Sequence, residues 1–397
     1  MARFHSLLAL FCAFSMTAAP RSATEYALDG HVVALANDGV QRGTDWLIAA
    51  QNPNGSWGAF SHPAITALCV LALHQSTCTH VDARDAAIDK GLARVLTFVQ
   101  DDGSIYPAGG DPKQSAYYPN YTTSIALLVL ASINRAEDHA VMKAARAYLR
   151  SSQFREEETA NFGGIGYGKT GRADLSNASW AAEALYFTDY LEREPFAPNA
   201  AEARSVKQMW GNLQTFLSKC QNLPETNGET FVSDHPDDRG GFVYRPHESK
   251  AGERGAEGKH SGLISSGSMT YAGLKSMIYA GLDRRDPRVK GAILYLRKNY
   301  VLHENPSMGM QGLYYYLHSM VKALDVYGED IFIDSNGYQH DWRTEIVEEL
   351  LGLQHHSGKW ENIHGRYLES VPELASAYAL ITMKTAMGTP NIDRRAR

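Results

Sequence analysis

Residues 51–57 read QNPNGSW and residues 354–360 read QHHSGKW, one motif of Gln, Gly and Trp at both ends of the chain. Each copy follows an amphipathic segment and precedes a very apolar one. In the last amphipathic segment, Asp341 can cap a helix whose stripe is Trp342, Ile346, Leu350 and Leu353. Arg343, Glu345, Glu348 and Glu349 fall on the opposite, solvated face. Glutamines at comparable helix ends recur at Gln51, Gln100, Gln153, Gln221 and Gln354, with a copy lacking the glutamine near Asn299. A recurring helical unit decides the fold before any single residue does.

The segment after each marker is of another kind. Thr122–Ile133 carries no charge, Leu374–Met383 is apolar on nearly every face, and Ile65–Leu73, Ala178–Phe187 and Met269–Leu282 read the same way. The fifth, Gly312–Tyr327, is more polar. A helix apolar all round is buried on all sides. Six alternations of the two kinds predict an all-α double-walled ring, apolar helices inside and mixed ones outside. An open superhelical stack would need polar capping repeats. The terminal copies are instead the best preserved, so the ring closes.

The Gln-x-x-x-Gly-x-Trp pattern before an apolar helix resembles the repeat of squalene–hopene cyclases and protein prenyltransferase β subunits, over nearly the whole chain. The second copy reads Gln100, Gly103, Tyr106. The third pairs Gln153 with Gly163, Gly164, Gly166 and Tyr167, and the fourth pairs Gln221 with Gly240, Gly241 and Tyr244. The fifth keeps Gly309 and Gly312. The resemblance implies an α6/α6 toroid and a structural role for Trp57, Trp360 and their glutamines.

Bulk properties narrow the function classes. The 397 residues are 44% hydrophobic and 21% charged, with 38 basic against 44 acidic side chains. A net charge of −6 without a long basic run gives no electrostatic footprint for nucleic acid. Residues 1–23 read as a secretory signal: Arg3, then an uncharged Ser6–Ala19 stretch, then small residues around Ala19 and Ala23. That places the protein outside the cytoplasm, periplasmic or extracellular, with residues 24–397 as one toroid and no stable membrane span after signal removal. Cys69, Cys78 and Cys220 would remain; they are no disulfide framework, although a Cys78–Cys220 pair stays open.

Chemistry in such a ring would sit where inner helices begin, since their free N–H groups face the cavity mouth. Aligning the small hydroxyl residues gives Thr66, Thr123, Ser179, Thr270, Tyr315 and Ser376. Squalene-type cyclases carry a D-x-D-D-T-A acid segment there; none of the six stretches before these positions holds an aspartate pair. The nearest carboxylates are Asp174 and Glu373. The D-x-C zinc ligands of protein prenyltransferases are absent, as is a thioester Cys–Gln motif, so neither metal nor cofactor is expected. What remains is a tyrosine-rich rim: 21 Tyr against 13 Phe, clustered at Tyr117, Tyr118, Tyr121 and at Tyr314–Tyr316. The expected cavity lining is His62, Tyr121, Asn177, Tyr271, Gln311, Tyr315 and His318. An inserted loop, 222–265, carries Asp234, His235, Asp237 and Asp238 and then a polar run, and reads as a lid or binding loop.

Three functions fit. The leading one is a toroid that binds an apolar, isoprenoid-like molecule or a partner protein without catalysis. The second is a cyclase- or prenyltransferase-like enzyme using non-standard residues. The third is a glycan-active α/α-barrel enzyme, which needs two carboxylates across the rim. Asp174, Asp237, Asp238 and Glu373 are the candidate acids.

Overall fold

The computed structural model describes residues 28–108, 118–192, 200–255 and 260–388. The signal segment and Tyr117 lie outside them. Outer helices are α1 (Gly30–Ala49), α3 (Val81–Leu96), α5 (His139–Ser151), α7 (Ala200–Lys219), α9 (Pro287–Lys298) and α11 (Trp342–Leu353). Inner helices are α2 (Pro63–Gln75), α4 (Pro119–Ile133), α6 (Leu175–Phe187), α8 (Gly267–Tyr279), α10 (Leu313–Tyr327) and α12 (Pro372–Ala386). Each inner helix packs on the next, and α12 packs on α2, so the inner wall closes on itself. The last outer helix, α11, meets the first, α1. Two short antiparallel pairs, Glu253–Arg254 with Gly262–Leu263 and Phe332–Ile333 with Gln339–His340, are the only strands among the described residues.

The glutamine–glycine motif explains the closure. The Gln51 side-chain amide donates to the carbonyls of Gly55 (3.1 Å) and Ala87 (2.9 Å), tying its own turn to the next outer helix. Gln354 does the same with Gly358 and Gly39, joining the end of the chain to its beginning. Gln153 and Gln221 repeat the pair of bonds, to Gly163 and Met209 and to Gly240 and Arg288. The third and fourth copies therefore keep the geometry and lengthen only the loop between Gln and Gly.

The buried anchor is the residue two places after the glycine: Trp57, Ile105, Ile165, Phe242 and Trp360. Both tryptophans donate their indole N–H to the preceding outer helix, at Leu47 and Leu350 (2.7 Å each). In four units the anchor's backbone N–H donates to the aligned hydroxyl, Thr66, Thr123, Thr270 or Ser376. Tyr106, Tyr167 and Tyr244, matched above to the tryptophans, thus lie outside the anchor position. Two of them serve the cavity instead.

The inner wall is less apolar than its sequence suggests. Glu183 on α6, Lys275 on α8 and Lys322 on α10 are buried within it. Cys69, Cys78 and Cys220 are free. Among the described residues no helix is long and apolar enough to cross a membrane.

Candidate functional site

A cavity of about 650 Å³ opens where α4, α6, α8, α10 and α12 begin. Its wall is layered by helix position. First turns supply Tyr121, Ser176, Ser268, Met269 and Tyr315; Trp180 and Tyr378 stand one turn deeper. The rest comes from loops: Tyr167 to Asp174 ahead of α6, Tyr244 to Lys250 from the insertion, Asn305 and Met308 ahead of α10, and Tyr367. Seven tyrosines line it (118, 121, 167, 244, 315, 367 and 378), with no phenylalanine, valine or isoleucine among the described lining.

The floor is aromatic and tightly keyed. Tyr121 meets Trp180 edge-on at 6.2 Å, and its hydroxyl lies 3.4 Å from that of Tyr378. The Tyr315 hydroxyl is 3.2 Å from Ser176 Oγ. His318 sits beneath, stacked on Trp180 at 5.5 Å and against Tyr378 at 5.2 Å. Neither His318 ring nitrogen has a hydrogen-bond partner, and burial, reinforced by Lys322, pushes its pKa well below the usual histidine range. It is neutral.

One turn deeper, Glu183 pairs with Lys275 Nζ at 2.5 Å and Lys322 Nζ at 3.0 Å, and Lys275 lies 5.5 Å from the Trp180 ring centre. Burial alone would raise the Glu183 carboxyl, but the two ammoniums outweigh it and hold the group far below the usual range. Burial lowers Lys275, opposed by Glu183.

The mouth carries the titratable groups. Asp174 caps α6: its carboxylate accepts from the Asn177 backbone N–H (2.9 Å) and side-chain amide (2.8 Å). Burial pushes it up to about 6, against the pull of Asn177, Tyr244 and Arg245. Glu248, from the inserted loop, is 31% exposed and paired with Lys250 and, at 3.8 Å, Arg245. The Lys250 hydrogen bond, then Arg245 and Arg172, hold it below the usual carboxylate range. One carboxyl is buried and raised; the other is wet and lowered.

The expected residues divide. Tyr121, Tyr315 and Asp174 line the cavity, and Asn177 and His318 stand directly behind it. The other six expected groups do not line it. His62 caps α2, accepting from the Ala64 N–H. Tyr271 is buried against Tyr316, its ring 5.7 Å away. Gln311 accepts from Arg366 at 2.7 Å. Glu373 sits in the first turn of α12, its carbonyl 3.6 Å from Cys69 Sγ.

Asp237 is exposed and paired with Lys298 on an outer helix at 2.5 Å. Asp238 is buried and binds Ser233, Arg254 and the Ser265 N–H, which holds the inserted loop in shape. The insertion reaches the cavity, but through Tyr244 and Glu248 rather than its aspartates. Trp180, Tyr378, Glu248 and the Glu183 cluster were not expected. For Trp180 and the Glu183 cluster the available signal was an indole or a charge inside an inner-helix run; Tyr378 and Glu248 carried none. Among the described residues no group of His, Cys, Asp and Glu could hold a metal ion.

The sequence matches no family model and no curated protein. The structure aligns with type II terpene cyclase MstE from Scytonema, with a TM-score of 0.51 and 14% identity over 90% of this chain and 99% of that one. The fold is an α/α toroid, as in these cyclases. A variant of MstE bound to its substrate, geranylgeranyl dihydroxybenzoate, aligns with a TM-score of 0.52 at 12% identity, over 91% of this chain and 99% of that one. At these identities the terpene cyclase likeness establishes an α/α toroid and nothing about chemistry. A glycosidase in complex with glucose aligns at 0.47, too low to weigh.

Proposed function

We propose that the ring is the ligand chamber of an exported protein, and that its ligand is a hydroxyl-bearing ring compound, in the first place a sugar. One observation carries this. Every aromatic ring in the cavity wall except Trp180 ends in a hydroxyl, and Ser176, Ser266, Ser268, Asn305 and Asp174 add further hydrogen-bonding groups. An isoprenoid chain offers those groups no partner, and each one that it buries outside the wall's own pairs, such as Tyr121–Tyr378 and Tyr315–Ser176, would cost about 1–3 kcal/mol. A sugar stacks its apolar face on a ring and satisfies hydroxyls at its edge.

Met269, Met308, Leu368 and Trp180 support a second reading, an apolar ligand of the kind named for MstE. Hydroxyl deletion separates the two. In Tyr315→Phe and Tyr121→Phe the ring stays and the donor goes, so sugar affinity should fall about three- to tenfold for each substitution, the value of one hydrogen bond. Isoprenoid affinity should hold or rise. Calorimetric titration of both variants with a sugar panel and with geranylgeraniol decides: tighter isoprenoid binding with no sugar binding sinks the sugar reading.

A further inference from the structure

The third expectation drawn from the sequence required two carboxylates at the rim, and the inserted loop brings a second one, Glu248, into the cavity wall beside Asp174. Asp174 and Glu248 both line the cavity, on opposite sides in sequence of the Tyr244–Arg245 pair, and Arg245 acts electrostatically on each. Their surroundings differ. Asp174 is 2% exposed, fixed as the α6 cap and set beside Tyr167 and Tyr244. Glu248 reaches water and is flanked by Lys250, Arg245 and Arg172. Two carboxyl groups in one cavity with opposed environments divide naturally into a proton donor and an ionised partner.

We infer that Asp174 and Glu248 are the acid and base of a glycoside-hydrolysing site; this rests on the reading of the cavity as a sugar site. The step balances without a cofactor. The bond between the sugar carbon and the bridging oxygen breaks, and Asp174 gives its proton to that oxygen. Water adds its oxygen to the carbon and gives a proton to Glu248. Exchange with solvent returns both groups to their starting states, so one water is consumed and two hydroxyl-ended products leave. The lowered carboxyl at Glu248 enters the cycle ionised and free to take the proton of water, and the raised one at Asp174 keeps a proton to give at mildly acid pH.

The test uses the full chain, a panel of 4-nitrophenyl glycosides and short oligosaccharides, and the variants Asp174→Asn and Glu248→Gln. Binding is read by ligand-induced thermal shift and turnover by released sugar. Asparagine caps a helix about as well as aspartate, so Asp174→Asn should fold, and its melting temperature without ligand checks this. The expected result is turnover by the wild type, at least about a 100-fold loss of kcat in each variant, and thermal shifts within about twofold of wild type. In the wild type, kcat/KM should fall as pH rises through about 6, where Asp174 loses its proton. A sugar that binds the wild type without being cleaved, or variants that cleave it at near wild-type rate, overturns the inference and leaves the binding reading standing. If no sugar shifts the wild type, the sugar reading itself fails and takes the inference with it.

Discussion

Replacing Glu183 by glutamine should cost about 3–5 kcal/mol of stability, read as a lower urea midpoint. The carboxylate lies between Lys275 and Lys322 inside the inner wall, with all three side chains no more than 4% exposed. Removing it leaves two buried ammoniums without their counter-ion. Screening is slight at that depth. The pH dependence follows from the depressed carboxyl. Its folded pKa lies below the usual 4.5, so its contribution is full above that value and is lost as pH falls through the folded pKa. The wild type should therefore lose stability steeply in acid, and Glu183→Gln should lack that part of the slope. A companion variant with Lys275→Met and Lys322→Met added should recover most of the loss, since buried ion clusters replaced by apolar groups are often neutral or stabilising. A loss under about 1 kcal/mol for Glu183→Gln would mean that water reaches the cluster.

This cluster also marks where reading the sequence stopped. Ala178–Phe187 and Met269–Leu282 read as apolar runs, although each holds one charge, Glu183 and Lys275. A lone charge in such a run has a partner on a neighbouring helix, and periodicity within one helix cannot name it. The ring itself was legible because its determinants are local: Gln51 to Trp57 is one turn and its bonds reach only the two outer helices and the inner helix beside it. Aligning the small hydroxyls worked for the same reason, since four of them meet the same backbone N–H. The cavity was legible only where helices start, at Tyr121, Asp174 and Tyr315. Much of its remaining wall comes from loops more than 50 residues apart, and Glu248 sits in a run of polar residues that reads as solvated. Nothing in the D-x-x-D-D pattern distinguished Asp238, a loop anchor, from a catalytic group.

That separation of local from distant determinants bears on the glycines. Gly163 has φ +82°, and a Cβ there would stand 1.8 Å from the carbonyl oxygen of Asn212 on α7. Gly281, after α8, has φ +88° with nothing within 4 Å. Alanine at either position bears the left-handed penalty, about 1–2 kcal/mol. Only at Gly163 must backbone also move. The movement would separate Gln153 from the Gly163 and Met209 carbonyls, both at 2.9 Å, and it would release one joint of the outer wall. Gly163→Ala should therefore cost about 3–5 kcal/mol, the backbone penalty plus overpacking, against about 1–2 kcal/mol for Gly281→Ala. Urea midpoints of the two variants measure the difference directly. Gly240→Ala, whose Cβ would lie 2.1 Å from the Gly291 carbonyl oxygen on α9, should match Gly163→Ala. If all three cost the same, the glycines serve only their turns; if the two pressed against the next helix cost more, the motif persists because it lets each outer helix touch its neighbour and the ring close.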